Sequence, residues 1–357
     1  MKVTHVSENL PDIAWTAFDT PHEFIGKSMS EIFTSPNIAS AVNSLRAVDG
    51  LSKTGMVTRD MSCTVINRHT DVLFEFIPRT SVNLGPNTVF CSDTVAEIEK
   101  ATDVAQAGAA AIAAIMNLAP YTRGVVYRFF NDYSGEVIYE KLKDDKLPSY
   151  LGLRFPANDI PLPARKAYIV ERVRIVSDVE GEAVSITGNP ATINMKLCHM
   201  RACAEPHRQY LKNMGVVSSL SVAIVVNNTL HALLWLHGCA KVYPSIEGRM
   251  LYDMISRTMS VCANMFHMKK RKEQEEDTKK ILDQSARFVS MPSFLRVYHD
   301  RILQAFRAQC MFVREDDSPP VGINSFYLEK LLQKSANQLL TELEPSHKNT
   351  DTVTGYM

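Results

Sequence analysis

The stretch from 201 to 237 constrains the fold most, because it predicts a short helix followed by a β-hairpin. Pro206 suits the first turn of a helix and Gly215 suits its end. The residues between them that recur at helical spacing are His207, Tyr210, Leu211 and Met214. We therefore expect the imidazole of His207 and the phenol of Tyr210 to share one inward face of the helix.

The segment from 218 to 226 then alternates as a β-strand does. Leu220, Val222, Ile224 and Val226 fall on one side, and Ser219, Ser221 and Ala223 fall on the other. Two hydroxyls beside an inward histidine and tyrosine predict a polar-lined pocket in an apolar domain.

The hairpin loop decides whether His237 joins this pocket. A two-residue turn at Asn227 and Asn228 would place Ser218 opposite His237, on the wrong face. A three-residue loop would place Ser219 opposite His237. A pocket that contains both side chains therefore requires the longer loop or a β-bulge.

Three separated motifs resemble those of one protein family. The segment HRQYLKNMGVVSSLSV, 207–222, looks like the chromophore-pocket segment of phytochrome GAF domains. LRFPANDIP, 153–161, resembles the family's Asp-Ile-Pro motif, and Tyr127-Arg128-Phe129 resembles its Tyr-Arg-Phe strand. The three motifs occur in the family's order, so the chain is identified as similar to the photosensory part of a phytochrome.

The resemblance implies an α+β fold, in which PAS-like and GAF-like antiparallel sheets are flanked by helices and joined to a partial PHY domain by a long helix. The expected domains are a truncated PAS-like domain at 1–90, a bilin-binding GAF domain at 91–268, and a linker helix with a partial PHY domain at 269–345. A disordered tail is expected at 346–357. Helices are expected at 93–118, 293–309 and 327–343. We also expect the family's N-terminal arm and its tongue hairpin to be missing.

The implied cofactor is a bilin, biliverdin or a related linear tetrapyrrole. Its propionates require cations, its pyrrole N–H groups require acceptors, and its rings require aromatic walls. By resemblance, Arg174 and Arg201 meet one propionate with Tyr168 nearby, while Ser219 and Ser221 meet the other. An arginine taken alone more often forms a surface salt bridge.

The resemblance assigns the remaining contacts in the same way. The main-chain carbonyl of Asp159 and the side chain of His207 face the pyrrole N–H groups, and His237 bonds the ring D carbonyl. Each could also have a purely structural role, as a turn-capping aspartate or a core histidine. The expected chromophore-binding set is Tyr127, Phe155, Asp159, Ile160, Pro161, Tyr168, Arg174, Arg201, His207, Tyr210, Ser219, Ser221 and His237.

Covalent attachment of the bilin stays open. Plant-type phytochromes carry the attachment cysteine just before the pocket histidine, where this chain has Pro206. Bacterial and fungal types use a cysteine in the arm before the PAS domain. Cys203 lies four residues before His207 and is the remaining candidate thiol. The spacing of Cys198, His199, Cys203 and His207 matches no strong zinc pattern, and His207 is assigned to the pocket, so no metal is expected.

A long helix is predicted from about Ile246. The positions Leu251, Met254, Thr258, Val261, Met265 and Met268 form a heptad seam. Either this seam mediates a homodimer through the helix at 246–285, or it packs against the domain's own sheet. The two alternatives are equally well supported by the pattern.

Composition and the absence of certain motifs argue against several classes of function. Thirty-nine basic residues balance 39 acidic ones, which argues against nucleic-acid binding. The sequence shows no apolar run that could span a membrane and no signal peptide, and its seven scattered cysteines suit a reducing compartment, so a cytoplasmic location is expected. With no phosphate loop, nucleophile elbow or kinase signature, the chain is not expected to be an enzyme.

The leading hypothesis is therefore a red/far-red photoreceptor. It would pass ring D photoisomerisation along the long helix to a signalling partner or a missing output domain. The alternative is a light-blind PAS/GAF dimerisation and signalling scaffold that has lost the chromophore.

Overall fold

The computed structural model describes residues 2–322 except 13–16, 34–36, 38–39, 41–51, 57–60, 68–71, 79–87, 144–146, 190, 194, 196–197, 199–200, 289–290, 307–311 and 314–320. The chain divides into two compact units, Met1–Asn264 and Met265–Met357. The helix predicted at 327–343 and the tail at 346–357 lie outside the described residues.

The N-terminal elements form a small layer of their own. Strand β1 (His5–Ser7) and the short helices α1 (Pro21–Phe24) and α2 (Met29–Ile32) precede a three-stranded antiparallel sheet. Its strands are β2 (Ser52–Met56), β3 (Met61–Asn67) and β4 (Val72–Pro78), in the order β2-β3-β4. Strands β3 and β4 pair antiparallel, with Cys63 opposite Phe76.

Capping and packing explain why these elements form. The backbone N–H of Thr20 donates to Glu23 (2.9 Å) ahead of α1, and that of Ser28 donates to Glu31 ahead of α2 (2.9 Å). These pairings satisfy backbone donors at the two helix starts. The core of this layer consists of Val6, Phe24, Ile32 and Phe33, with Phe74 and Phe76 packed against it.

A six-stranded antiparallel sheet forms the main part of the first unit. Its strands are β5 (Arg123–Phe129), β6 (Gly135–Leu142), β7 (Arg154–Phe155), β8 (Val173–Val176), β10 (Ser218–Val226) and β11 (Thr229–Gly238). They are ordered β7-β6-β5-β11-β10-β8. Strand β9 (Ile186–Gly188) instead pairs with β1, which ties the N-terminal strand to the loop after β8.

Helices precede the sheet, connect some of its strands and follow its last strand. They are α3 (Thr88–Glu99), α4 (Val104–Leu118), α5 (Leu162–Val170), α6 (Glu205–Asn213) and α7 (Ile246–Ser285). Side chains added at Gly108 or Gly124 would collide with Val126 or Ile112, so α4 lies unusually close to β5. The single helix predicted at 93–118 is wrong. The first helix ends at Glu99, and Asp103 caps the start of a second one, because its carboxylate accepts the N–H of Gln106 (2.9 Å).

Helix α7 covers an open edge of the sheet. Beyond the end of β8, the hydroxyl of Ser260 accepts the N–H of Val225 (2.9 Å), and the hydroxyl of Ser256 donates to the carbonyl of Ala223 (2.5 Å). Both serines are buried. The two bonds replace ladder bonds that a neighbouring strand would make, so the helix satisfies the backbone of β10.

The heptad seam of α7 divides between two environments. Leu251 is only 1% exposed in the core of its own unit, whereas Val261 is 61% exposed and Met265 and Met268 are also exposed. The seam is therefore not one continuous face towards a partner. Its first member packs against the domain, and its later members remain on the surface.

The second unit begins within α7. Ile281, near the end of that helix, packs with Phe294, Leu295 and Ile302 of α8 (Met291–Phe306), as predicted for a helix near 293–309. Strands β12 (Phe312–Val313) and β13 (Val321–Gly322) pair as a short hairpin. In the part of the chain that the structure describes, no helix has the length and apolar character needed to cross a membrane.

Candidate functional site

The β10–β11 hairpin brings the predicted serines and His237 to one face. Asn227 and Asn228 form the two-residue turn with positive φ angles of 49° and 57°. A bulge at His231 then shifts the register, so that Ser219 pairs with His237. The alternative in which the site requires a bulge is the one observed. Ser221 pairs with Trp235, which puts these four side chains on the same face of the sheet.

An aromatic wall stands on that face. Tyr127 of β5 is buried and stacks on Trp235, with ring centroids 4.6 Å apart and planes at 18°. Phe155 meets both rings edge-on, at 6.0 Å from Tyr127 and 6.1 Å from Trp235. Sequence reasoning missed Trp235, although its position two residues before His237 on a strand was a sufficient signal.

The phenol of Tyr127 is closely packed and lies near negatively charged groups. Burial raises the pKa of Tyr127 to about 12, and the nearby negative charge of Asp159 contributes to that rise. A side chain at Gly135 would collide with the phenol ring, so glycine is required where β6 passes Tyr127. Asp159 itself is exposed.

A positive corner of the site, formed by Arg174 and Arg201, lies beside Ser219 and Ser221. Arg174 of β8 pairs with Ser221, and its Nη2 donates to the carbonyls of Arg201 and Ala202, both at 3.0 Å. Its Nη1 is buried and has no hydrogen-bond partner within the described parts of the chain. Burial, followed by the charge of Arg201, lowers the pKa of Arg174.

Tyr168 of α5 joins this corner. Burial raises the pKa of its phenol, while a hydrogen bond with Ser221 and the charges of Arg174 and Arg201 act in the opposite direction. A hydroxyl cluster and two guanidinium groups therefore adjoin one another. This is the donor set that carboxylates prefer.

His207 and Tyr210 share a face of α6 as predicted, with their ring planes at 17° and centroids 6.3 Å apart. The expectation that this face points inward holds only for its members Leu211 and Met214, which pack in a core cluster. Leu211 is buried against Val176, whereas His207 is exposed and Tyr210 is 43% exposed. The two rings are thus on the open side of the site, where a ligand can reach them.

The two histidines are electrostatically linked across the site. Burial, together with the positive charges of Arg123 and His207, lowers the pKa of His237 to about 4. Desolvation followed by the charge of Arg174 lowers the pKa of His207. His237 is therefore neutral at pH 7 and offers one N–H donor and one acceptor.

A buried ion pair between Arg123 of β5 and Glu140 of β6 lies beside His237. Arg123 pairs with His237 in the β5–β11 ladder and lies 3.7 Å from Glu140, with side chains only 7% and 4% exposed. Arg123 also donates to the carbonyl of Pro148 (2.6 Å) and stacks on Tyr150 at 3.5 Å. The sequence did not indicate this pair, because charged residues in strands usually face solvent.

The Asp-Ile-Pro segment forms the opposite rim. Ala157–Asp159 makes one 3₁₀ turn, and α5 begins directly after Pro161. Ile160 packs against the cluster that contains Tyr127, while Pro161 is exposed. Arg165 of α5, also missed by sequence reasoning, donates to two carbonyls of this segment.

The thiol of Cys203 is half-buried, and burial raises its pKa. Such a thiol is protonated at pH 7 and is a weak nucleophile. Across the described ranges, no three His, Cys, Asp or Glu side chains are grouped so that they could hold a metal ion.

Together these groups suit a long, flat, conjugated molecule that bears carboxylates. The Nη1 of Arg174, unbonded in the part of the chain that the structure describes, and the adjoining hydroxyls offer donors for an anion, and the stacked rings offer an apolar wall. A neutral imidazole lies farther along the same face. The donor set and the wall therefore fit such a group.

Comparisons with known proteins agree with this description. Residues 100–262 match the model of the GAF domain. The chain is 30% identical over 195 residues to cyanobacterial phytochrome A of Nostoc sp. This match covers 52% of this chain and 23% of that protein. It is 31% identical over 192 residues to a bacteriophytochrome of Pseudomonas aeruginosa. This match covers 52% of this chain and 26% of that protein. The chain thus matches only about a quarter of the length of these relatives.

Solved structures show the same fold. The wild-type phytochrome photosensory core module of Stigmatella aurantiaca matches with a TM-score of 0.74 at 22% identity, covering 97% of this chain and 71% of that one. A bacteriophytochrome from R. palustris matches with a TM-score of 0.73 at 19% identity, covering 96% of this chain and 71% of that one. The α+β architecture predicted from the sequence is confirmed.

Proposed function

We propose that this chain, a photosensory module of the phytochrome type with a GAF domain, binds a bilin on the face that carries Ser219 and His237 and responds to red and far-red light. The observation that carries the proposal is the buried Nη1 of Arg174, which has no hydrogen-bond partner among the described residues and lies beside Ser221 and Tyr168. When bound, a bilin supplies visible-light absorption and isomerisation of the double bond between rings C and D.

The positive corner would hold the propionates. Arg174 is already oriented by its two bonds to backbone carbonyls, which leaves Nη1 for a carboxylate oxygen. Arg201 would act beside it, and Tyr168 would donate its hydroxyl. Ser219 and Ser221 would donate to the second propionate. A buried guanidinium that gains a carboxylate loses much of its desolvation cost.

The other polar groups would order the pyrrole rings. The main-chain carbonyl of Asp159 and the imidazole of His207 would accept from the N–H groups. His237, neutral because its pKa is lowered to about 4, would donate to the ring D carbonyl. The charge of Arg123, held by Glu140, helps to keep that imidazole neutral.

The apolar members of the predicted set would enclose the rings. Tyr127 and Phe155 form the stacked wall with Trp235, and Ile160 packs against the same cluster. Tyr210 and Pro161 lie on exposed positions at the rim. Rigid aromatic packing around a conjugated ligand excludes water and restricts its motion.

We further propose that the module works as a homodimer that signals through α7. The exposed Met250 and Val261 offer apolar surface on the part of this helix that belongs to the first unit. The module would pass its signal to an output partner or a further domain. The six described cysteines are free thiols, which supports a reducing, cytoplasmic setting.

A light-blind scaffold is the second candidate. Pro206 at the plant-type attachment position and the protonated thiol of Cys203 favour it. The two functions differ in whether the chain takes up a pigment at all.

Addition of biliverdin to the purified chain tests the choice. The photoreceptor is expected to develop a red absorption band that changes after red illumination and recovers in the dark or in far-red light. Free biliverdin in the same buffer, and the chain with Arg174→Gln, are the controls. If the chain and free biliverdin give the same spectrum, the proposal fails and the scaffold is favoured. Zinc fluorescence of a denaturing gel then shows whether the pigment is covalently attached.

A further inference from the structure

The turn between β5 and β6 holds an aromatic residue in an unusual conformation. Tyr133 has a φ of 65°, in the left-handed region that bulky side chains rarely adopt. The turn is closed by other groups. The N–H of Phe130 donates to the carbonyl of Ser134 (2.8 Å), and the carboxylate of Asp132 accepts the N–H of Ser134 (2.9 Å). The ring of Tyr133 is thus not needed to form the turn, and glycine would suit its backbone better.

The ring of Tyr133 has a partner on another element. The guanidinium carbon of Arg165, on α5, lies 4.4 Å from its centroid. Cations stack favourably on aromatic faces at this distance. The Nε of Arg165 is buried and makes no hydrogen bond within the described residues, and the residue as a whole is half-buried.

The same guanidinium holds the Asp-Ile-Pro segment. One nitrogen, Nη1, donates to the carbonyl of Ala157 (2.9 Å) and to that of Ile160 (2.6 Å). These two carbonyls stand on either side of Asp159. Within this short turn, the N–H of Asp159 donates to the carbonyl of Pro156 (3.1 Å). Arg165 therefore links both ends of a segment that has little internal hydrogen bonding of its own.

We propose that Tyr133 and Arg165 are positioning residues, which together fix the backbone of the turn from Ala157 to Ile160. The stacked ring restrains the guanidinium, and the guanidinium restrains the two carbonyls. In this way the β5–β6 turn determines where Asp159 stands relative to Tyr127. The consequence for a bound pigment rests on the proposed function, but the restraint itself does not.

A restrained aromatic residue at a positive φ fits this role. A conformation that is unfavourable for its residue type persists where the surroundings over-determine it, and such positions cluster at functional sites. The simpler explanation is that Tyr133, which is 45% exposed, merely lies over Arg165 without restraining it. The two explanations differ in what happens to the distant turn when only the ring is removed.

Amide hydrogen exchange of the chain without pigment distinguishes them. Tyr133→Gly removes the ring while suiting the backbone, and Tyr133→Phe keeps the ring as the matched control. The amide of Asp159 is expected to exchange about threefold faster in Tyr133→Gly and about tenfold faster in Arg165→Met, and at the wild-type rate in Tyr133→Phe. The β10 amides report whether the domain remains folded.

Equal exchange at Asp159 in Tyr133→Gly and Tyr133→Phe, with β10 protected, would overturn the proposal. Faster exchange in both would also overturn it, because the ring would then not be the restraining group. Faster exchange in Tyr133→Gly alone supports it. With biliverdin, the same variant is expected to show a broadened or shifted red band. If the wild-type chain takes up no biliverdin, the proposed function fails, while the exchange comparison still decides on the restraint.

Discussion

Ser219 lies directly opposite His237 in the β10–β11 ladder, and a single extra residue, His231, makes this possible. Without that bulge, the two-residue turn at Asn227 and Asn228 would pair Ser218 with His237 and turn the imidazole to the other face of the sheet. The bulge therefore sets which side chains can meet one ligand. The serines, Trp235 and His237 share a face because of it.

His237 should make the stability of the chain depend on pH. Its pKa is lowered from 6.5 to about 4, so the unfolded state binds the proton more readily. The stability contribution is fully present above pH 6.5 and is lost as the pH falls from 6.5 towards 4. The loss is on the order of 3 kcal/mol. Urea unfolding from pH 4 to 8 should show a weaker dependence in His237→Gln, and an identical dependence would contradict the assignment.

Arg174 should contribute more to pigment affinity than an arginine outside the site. Loss of a charge-assisted contact in Arg174→Gln should weaken biliverdin binding by about 10- to 100-fold, corresponding to roughly 1.5–3 kcal/mol. Arg128→Gln is the matched control, since Arg128 lies on the other face of β5 and pairs with Glu136. Absorption titrations measure both dissociation constants. Equal losses in the two variants would show that Arg174 has no specific role.

Gly135 should tolerate no side chain, because an added methyl group would collide with the phenol of Tyr127. Gly135→Ala should destabilise the domain by about 1–3 kcal/mol and disturb the stacking on Trp235. At Gly248, near the start of α7, an added methyl group meets only ordinary contacts of 3.6 Å or more. Gly248→Ala should therefore be neutral or stabilising by up to about 1 kcal/mol. Thermal unfolding and tryptophan fluorescence compare the two, and unchanged behaviour of Gly135→Ala would refute the close approach.

Two members of the α7 seam, Leu251 and Val261, should respond differently to the introduction of a charge. Val261→Glu leaves the fold intact, because this side chain is exposed, and should convert a dimer to a monomer in sedimentation. Leu251→Glu places a charge in the core and should unfold the domain, as circular dichroism would show. A folded Val261→Glu variant that sediments as the wild type does would exclude this face as the dimer contact.

Much of the local structure could be predicted from the sequence. The strand from 218 to 226, the helix around His207 and the start of the long helix at Ile246 agree with the structure. Their signals are local, in the form of alternation, helical spacing, and turn residues such as Gly215. The single helix expected at 93–118 failed because a capping aspartate, Asp103, was not recognised.

The site was predicted less completely. The motif residues lie around one face, but Trp235, Arg123 and Arg165 were missed. Arg123 and Glu140 are the clearest case, since each looks like an ordinary surface charge in its strand. Their burial depends on Tyr150 and the carbonyl of Pro148, which come from a later part of the chain. No local pattern records that such groups will enclose a charge.

By itself, therefore, the sequence determined the elements, their alternating faces and the residue types available for a ligand. The tertiary structure alone decided that a bulge at His231 aligns Ser219 with His237, and that His207 and Tyr210 face the open side of the site. It also decided that Leu251 is buried while Val261 is exposed. The physical reason is that periodicity shows which side chains share a face. The surface that this face meets depends on the free energy of packing against segments distant in the chain.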